Sequence, residues 1–73
     1  MFNRVKELRQ QIGMTQEEIA DRVGVSRQTI ISIESGRYNP SIILAYKLSQ
    51  LLSVSIEYLF ILDEQVELED IDE

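Results

Sequence analysis

Arg27, Gln28 and Ser32 are the side chains whose types and spacing could do chemistry. An arginine donates in a fork to guanine O6 and N7, a glutamine pairs doubly with adenine N6 and N7, and a serine bonds either type. With about 100° per residue, Arg27, Ile31, Ser35, Gln28 and Ser32 share an arc of roughly 140° on one helix, opposite Ile30 and Ile33. Ile31 has two readings: contact with a thymine methyl, or a half-exposed side chain touching its neighbours. Other chemistry is scarce. The chain has no cysteine and no histidine, so thiolate and imidazole ligands and the usual general base are missing. It has no nucleophile elbow, phosphate-binding glycine loop or metal-ligand spacing. Glu17 and Glu18 are adjacent carboxylates, but they stand at a helix start, where they serve as caps and dipole partners. No enzyme activity, metal or cofactor is expected, and the acidic C-terminus lacks the glycine and spacing of a calcium loop.

Positioning these side chains takes five short helical segments. Val5, Leu8 and Ile12 mark the first, with Asn3 as candidate N-cap and Gly13 past its end. Thr15-Gln16-Glu17-Glu18 is a capping box opening the second, and Met14 and Ile19 occupy the two positions of a hydrophobic staple. Gly24 ends it. Ser26 caps the third, which runs to about Ser35 and stops before Gly36. Asn39-Pro40-Ser41 is a turn that starts the fourth, whose buried stripe is Leu44, Ala45, Leu48, Leu51 and Leu52. Ser55 caps a fifth from Ile56 to about Phe60.

The second and third segments are joined by Gly24-Val25-Ser26 alone, so they must cross steeply and pack tightly. Ala20 allows close approach, Gly24 supplies a positive φ, and Val25, Ile30 and Ile33 plug the angle against Ile19 and Val23. This is a helix-turn-helix pattern. The run Thr15-Gln16-Glu17-Glu18-Ile19-Ala20, Val23-Gly24-Val25-Ser26-Arg27-Gln28-Thr29-Ile30 and Ile33-Glu34-Ser35-Gly36-Arg37-Tyr38-Asn39-Pro40-Ser41 resembles the phage repressor/Cro-type, or XRE-like, helix-turn-helix family. The likeness spans residues 2 to about 62, and the run Gly36-Arg37-Tyr38-Asn39-Pro40-Ser41 is similar to compact bacterial and phage members.

The resemblance implies an all-α, five-helix, lambda-repressor-like domain over residues 1–62. It implies a sequence-specific, usually dimeric, transcriptional regulator binding double-stranded DNA, here read as a repressor on a palindromic operator. By position, Arg27, Gln28 and Ser32 fall where the family reads bases, and Gln16 where it touches the DNA backbone. Arg9 and Glu34 fall where many members hold a buried ion pair. Ile31 stands where a small polar residue is usual, and Ser32 is short for its place.

Helix N-termini offer free N–H groups to phosphates. The expected backbone contacts are Thr15 and Gln16, Ser26 and Thr29, the loop Arg37, Tyr38 and Asn39, and Ser41. Tyr38 could equally pack over the fourth helix. Such contacts set register without reading sequence, and their affinity falls with salt.

The net charge of −6 does not argue against this. Residues 63–73 hold seven of the thirteen acids and no base, leaving seven bases against six acids, a net of +1, over residues 1–62. An acidic C-terminal tail over residues 63–73 therefore follows a near-neutral body. No apolar run is long enough for a membrane span, and no signal peptide is recognisable, so a cytoplasmic location is expected. One such module reads few base pairs, so a homodimer is expected. The apolar surplus at Tyr58, Phe60, Ile61 and Leu62 is the candidate interface, extended by the strand-like alternation of Val66 and Leu68. The tail alternatively frays in solvent, docks a protein partner, or shields the DNA-binding face. The runner-up function is an antitoxin or adaptor that uses the same fold to bind a protein.

Overall fold

The structure, a computed structural model, describes residues 2–61, so Leu62 and the tail lie outside the described residues. The order is β1 (Phe2–Asn3), α1 (Val5–Gln11), α2 (Gln16–Val23), α3 (Arg27–Glu34), α4 (Ile42–Leu52), α5 (Ile56–Leu59) and β2 (Phe60–Ile61). The architecture is five helices, with one addition that the sequence pattern did not announce. β1 and β2 pair antiparallel, with Phe2 opposite Ile61 and Asn3 opposite Phe60.

Each helix start explains itself. Thr15 Oγ1 accepts from the Glu18 N–H at 3.0 Å, and Glu18 Oε1 accepts from the Thr15 N–H at 2.8 Å, closing the capping box. Ser26, Ser41 and Ser55 accept from the N–H groups of Thr29, Leu44 and Tyr58 to cap α3, α4 and α5. At α1 the N-cap position is Arg4, which makes no side-chain cap bond. Asn3, one residue earlier, takes the Val5 N–H instead at 3.0 Å.

Gly24 ends α2 at φ 82°, in the left-handed region where a Cβ is unfavourable. There the Gly24 and Val25 N–H groups both reach the Ala20 carbonyl, which folds the chain sharply into α3. Glycine is needed here for its backbone angles, because no heavy atom lies within 4 Å of where a Cβ would stand.

The core is one cluster. Val5 of α1, Ile19, Ala20 and Val23 of α2, Ile30 and Ile33 of α3, and Leu44, Ala45, Leu48 and Leu52 of α4 meet Leu59 and Phe60. Leu51 is half-buried at its margin. Ile12 departs from the expected stripe and is 52% exposed. The reason is local: α1 ends at Gln11, so Ile12 sits at the C-cap and leaves the helical face.

The C-terminal end also corrects the sequence reading. α5 stops at Leu59, and Phe60 enters β2 with φ −115° and ψ 122°. Strand geometry turns successive side chains to opposite sides. Phe60 is 3% exposed and belongs to this chain's own core, so it is not an exposed dimer residue. Tyr58 remains exposed and Ile61 half-buried.

Candidate nucleic-acid interface

α3 turns Ile30 and Ile33 fully inward, each 0% exposed, while Arg27 and Gln28 stand in solvent. Ser32 and Ile31, on the same outer face, are half-buried. The two orientations have one cause. The isoleucines fill the angle against α2, and the helical repeat then forces Arg27 and Gln28 outward.

Depressions line both sides of the outer face. One is bounded by Arg9, Thr15, Gln16, Glu17 and Arg27, and so joins the start of α2 to the start of α3. A second is lined by Ser26, Gln28, Thr29, Ser32 and Tyr38. Thr29 and Tyr38 also line a third, which runs on to Ser41, Ile43 and Lys47 of the α4 start. Ile31 lines none of the three.

The polar groups proposed for backbone contact keep donors to spare. The Thr15 and Ser41 hydroxyl oxygens accept cap bonds, and each retains its own O–H. Ser26 and Thr29 share one bond between their hydroxyls at 3.0 Å, leaving one O–H of the two for a ligand. The loop after α3 is anchored to that helix. The Ser32 carbonyl accepts from the N–H groups of Arg37 and Tyr38 at 3.0 and 3.2 Å and from the Ser35 hydroxyl at 3.0 Å. Arg37, Tyr38 and Asn39 are exposed beside it.

One polar joint holds this surface together. Arg9 Nε donates to Glu34 Oε2 at 2.7 Å and Arg9 Nη2 to Glu34 Oε1 at 3.3 Å, with side-chain exposures of 9% and 4%. Arg9 Nη1 also donates to the Met14 carbonyl at 2.8 Å. Gln16 Nε2 donates to Glu34 Oε1 at 3.1 Å, a bond the sequence reading did not foresee. One carboxylate thereby ties α1, the loop into α2, and the start of α2 to the end of α3. One carboxamide N–H and the carbonyl oxygen of Gln16 are left for a phosphate or its water.

Sequence reasoning also passed over Ile42, Ile43, Tyr46 and Lys47, all exposed on α4. A signal was there. Four consecutive apolar residues, Ile42 through Ala45, cannot all face one side of a helix. Leu44 and Ala45 take the core, which leaves the two isoleucines outside. Among the described residues no helix is long and apolar enough to cross a membrane.

A helix-turn-helix family profile matches residues 5–59. The chain belongs to that family, in its phage repressor/Cro or XRE branch, whose members are DNA-binding transcriptional regulators. It is 52% identical over 65 residues to an uncharacterised helix-turn-helix-type transcriptional regulator of Archaeoglobus fulgidus, covering 89% of this chain and 92% of that one. A similarly described protein of Methanothermobacter thermautotrophicus is 56% identical over 61 residues, covering 82% and 88%.

Among solved structures it is similar to the N-terminal DNA-binding domain of SinR from Bacillus subtilis. The TM-score is 0.71 at 38% identity, over 88% of this chain and 91% of that one. The restriction-modification controller protein C.AhdI from Aeromonas hydrophila also gives a TM-score of 0.71, at 33% identity over 78% and 86%. A more distant likeness, 35% over 56 residues, is to the antitoxin HipB of Escherichia coli, and it covers 64% of that protein.

Proposed function

We propose that this protein is a repressor that binds a palindromic operator as a homodimer and reads the major groove with α3. The observation that carries the reading is the division of α3 into an isoleucine side sealed in the core and an Arg27–Gln28 side open to solvent between polar depressions. Arg27 and Gln28 read base edges, Ser32 adds a short polar contact, and Ile31 meets an apolar edge such as a thymine methyl. Thr15, Gln16, Ser26, Thr29, Arg37, Tyr38, Asn39 and Ser41 bind the sugar-phosphate backbone and set the register. Dimerisation uses the apolar surface near the C-terminus, the exposed Tyr58 and the half-buried Ile61 among the described residues. It places two α3 helices about 34 Å apart on one face of the duplex.

Selection from a pool of random duplexes tests all of this together. The expected product is a palindrome with half-sites one helical turn apart. Arg27→Ala should weaken binding to it by about 1–3 kcal/mol and relax preference at one base pair of each half-site. An unchanged preference in that variant would mean α3 does not read through Arg27. The likeness to HipB supports a second reading, an antitoxin that binds a protein as well as DNA. A pool that yields no enriched sequence, with a basic protein co-purifying, would favour it.

A further inference from the structure

Of the seven basic residues, Arg9 is spent in the buried joint, and Arg4 is held by the Tyr58 carbonyl and ring. Lys47 has neither fate. It is exposed, has no partner among the described residues, and lines the same depression as Thr29, Tyr38 and Ser41. It is also the only cation on the walls of that depression.

The helix directs where its ammonium goes. Side chains lean toward the N-terminus of their own helix, so a residue's tip lies over the turn before it. Ile43 stands one turn earlier than Lys47, is 65% exposed, and lines the same depression. The methylene stem of Lys47 can lie along that isoleucine while its charged end stays in water. That carries the ammonium back toward Ser41 and Tyr38, whose hydroxyl has no partner among the described residues. The depression continues through Thr29 and Tyr38 into the one beside Gln28 and Ser32.

We infer that Lys47 is a phosphate-binding residue, which with Tyr38 holds the nucleic-acid backbone on the flank of α3 away from Gln16. This rests on the DNA-binding reading and extends it to a residue that reading left out. A lysine suits the task as a mobile point charge, carrying affinity without sequence preference. The backbone is thus gripped on both flanks of α3: by polar amide and hydroxyl groups at the start of α2, and by a full charge from α4.

The test uses the intact chain and a pool of short random-sequence duplexes, because a phosphate contact acts on any sequence. Affinity is measured by fluorescence anisotropy over a salt series for the wild type, Lys47→Gln, Lys47→Arg and, as control, Lys6→Gln. The expected result for Lys47→Gln is a salt slope shallower by about 0.9 per bound subunit. Lys47→Arg should retain the wild-type slope, and so should Lys6→Gln, whose residue lines none of these depressions.

Equal slopes for the wild type and Lys47→Gln would overturn the inference and leave the DNA-binding reading standing. An equal reduction in Lys6→Gln would also overturn it, by reducing the effect to net charge. A wild type without salt-dependent binding would overturn both.

Discussion

Two arginines five positions apart are held in opposite ways. Arg9 is buried, uses three nitrogens, and meets a carboxylate and a backbone carbonyl. Arg4 is half-exposed. Its Nε donates to the Tyr58 carbonyl at 3.0 Å, and its guanidinium lies 4.5 Å from the centre of the Tyr58 ring. The first arginine organises the junction of α1, α2 and α3 beneath the proposed DNA-binding surface. The second fastens one end of the described chain to the other, beside the β1–β2 pair. Water separates them energetically: charge interactions sealed from it are strong and costly to break, and those open to it are weak. The geometry of the proposed DNA-binding surface therefore rests on the costly joint, and the closing of the two ends of the described chain rests on a seam of small terms.

The widest separation between the two regions comes from removing the carboxylate. Glu34→Ala leaves the Arg9 guanidinium buried without a counter-charge and should cost about 3–5 kcal/mol. In a domain whose whole stability is of order 5–15 kcal/mol, that is a large share. Urea unfolding followed by circular dichroism measures it. The double variant Arg9→Met with Glu34→Leu should cost less than Glu34→Ala alone, since it removes both charges together. A cost near that of a surface pair for Glu34→Ala would show the joint to be wetter than its geometry implies and would erase the contrast with Arg4.

The joint and the seam also differ in how far the sequence announces them. Thr15 with Glu18, Gly24 between two apolar stripes, and the serines before α3, α4 and α5 are local signals, because their bonds span three residues or fewer. The division of α3 into two faces follows from period alone. Arg9 and Glu34 could be matched only through a family resemblance, because nothing local ties residues 25 positions apart.

The bond from Gln16 to Glu34 was invisible for the same reason, and so was the β1–β2 pair. Strands of two residues show no alternation to read, and their partners lie at opposite ends of the described chain. Phe60 was misplaced because an apolar run from Tyr58 to Leu62 shows no inner face until the helix is known to stop at Leu59. Lys47 reads as a solvated cation until α4 is set beside Tyr38.

Asn3 bridges the two regions and should give an intermediate effect. Its Oδ1 accepts the Val5 N–H at 3.0 Å, and its Nδ2 donates to the Ile33 carbonyl of α3 at 2.9 Å. Asn3→Ala removes both bonds from a half-buried site and should cost about 1–2 kcal/mol, the lower part of the range for two bonds of order 0.5–1.5 each, because water can replace part of each. In a domain of this size that lowers the melting temperature by roughly 4–16 °C. Asn3→Asp keeps the acceptor for Val5 but turns a carboxylate oxygen toward the Ile33 carbonyl, so it should melt no higher than Asn3→Ala. An aspartate variant as stable as the wild type would mean that the Ile33 bond contributes nothing.

The smallest effect belongs to Arg4, and its pattern across variants matters more than its size. Stacking of a cation on an exposed ring is worth about 0.5–1 kcal/mol, so Arg4→Ala, which also removes the solvent-exposed Nε–H bond, should lower stability by that amount or slightly more. The ring, not the phenol hydroxyl, is the partner on this account, so Tyr58→Phe should be neutral. Combining Tyr58→Ala with Arg4→Ala should cost less than the sum of the two single changes, because either alone already breaks the stack. Arg4→Lys keeps a cation over the ring but loses the planar Nε–H that meets the Tyr58 carbonyl, and should fall between wild type and alanine. Thermal melting of these variants measures the series. Additive costs would mean that Arg4 and Tyr58 act separately. A loss for Arg4→Ala as large as that for Glu34→Ala would mean that the seam, not the joint, carries the fold.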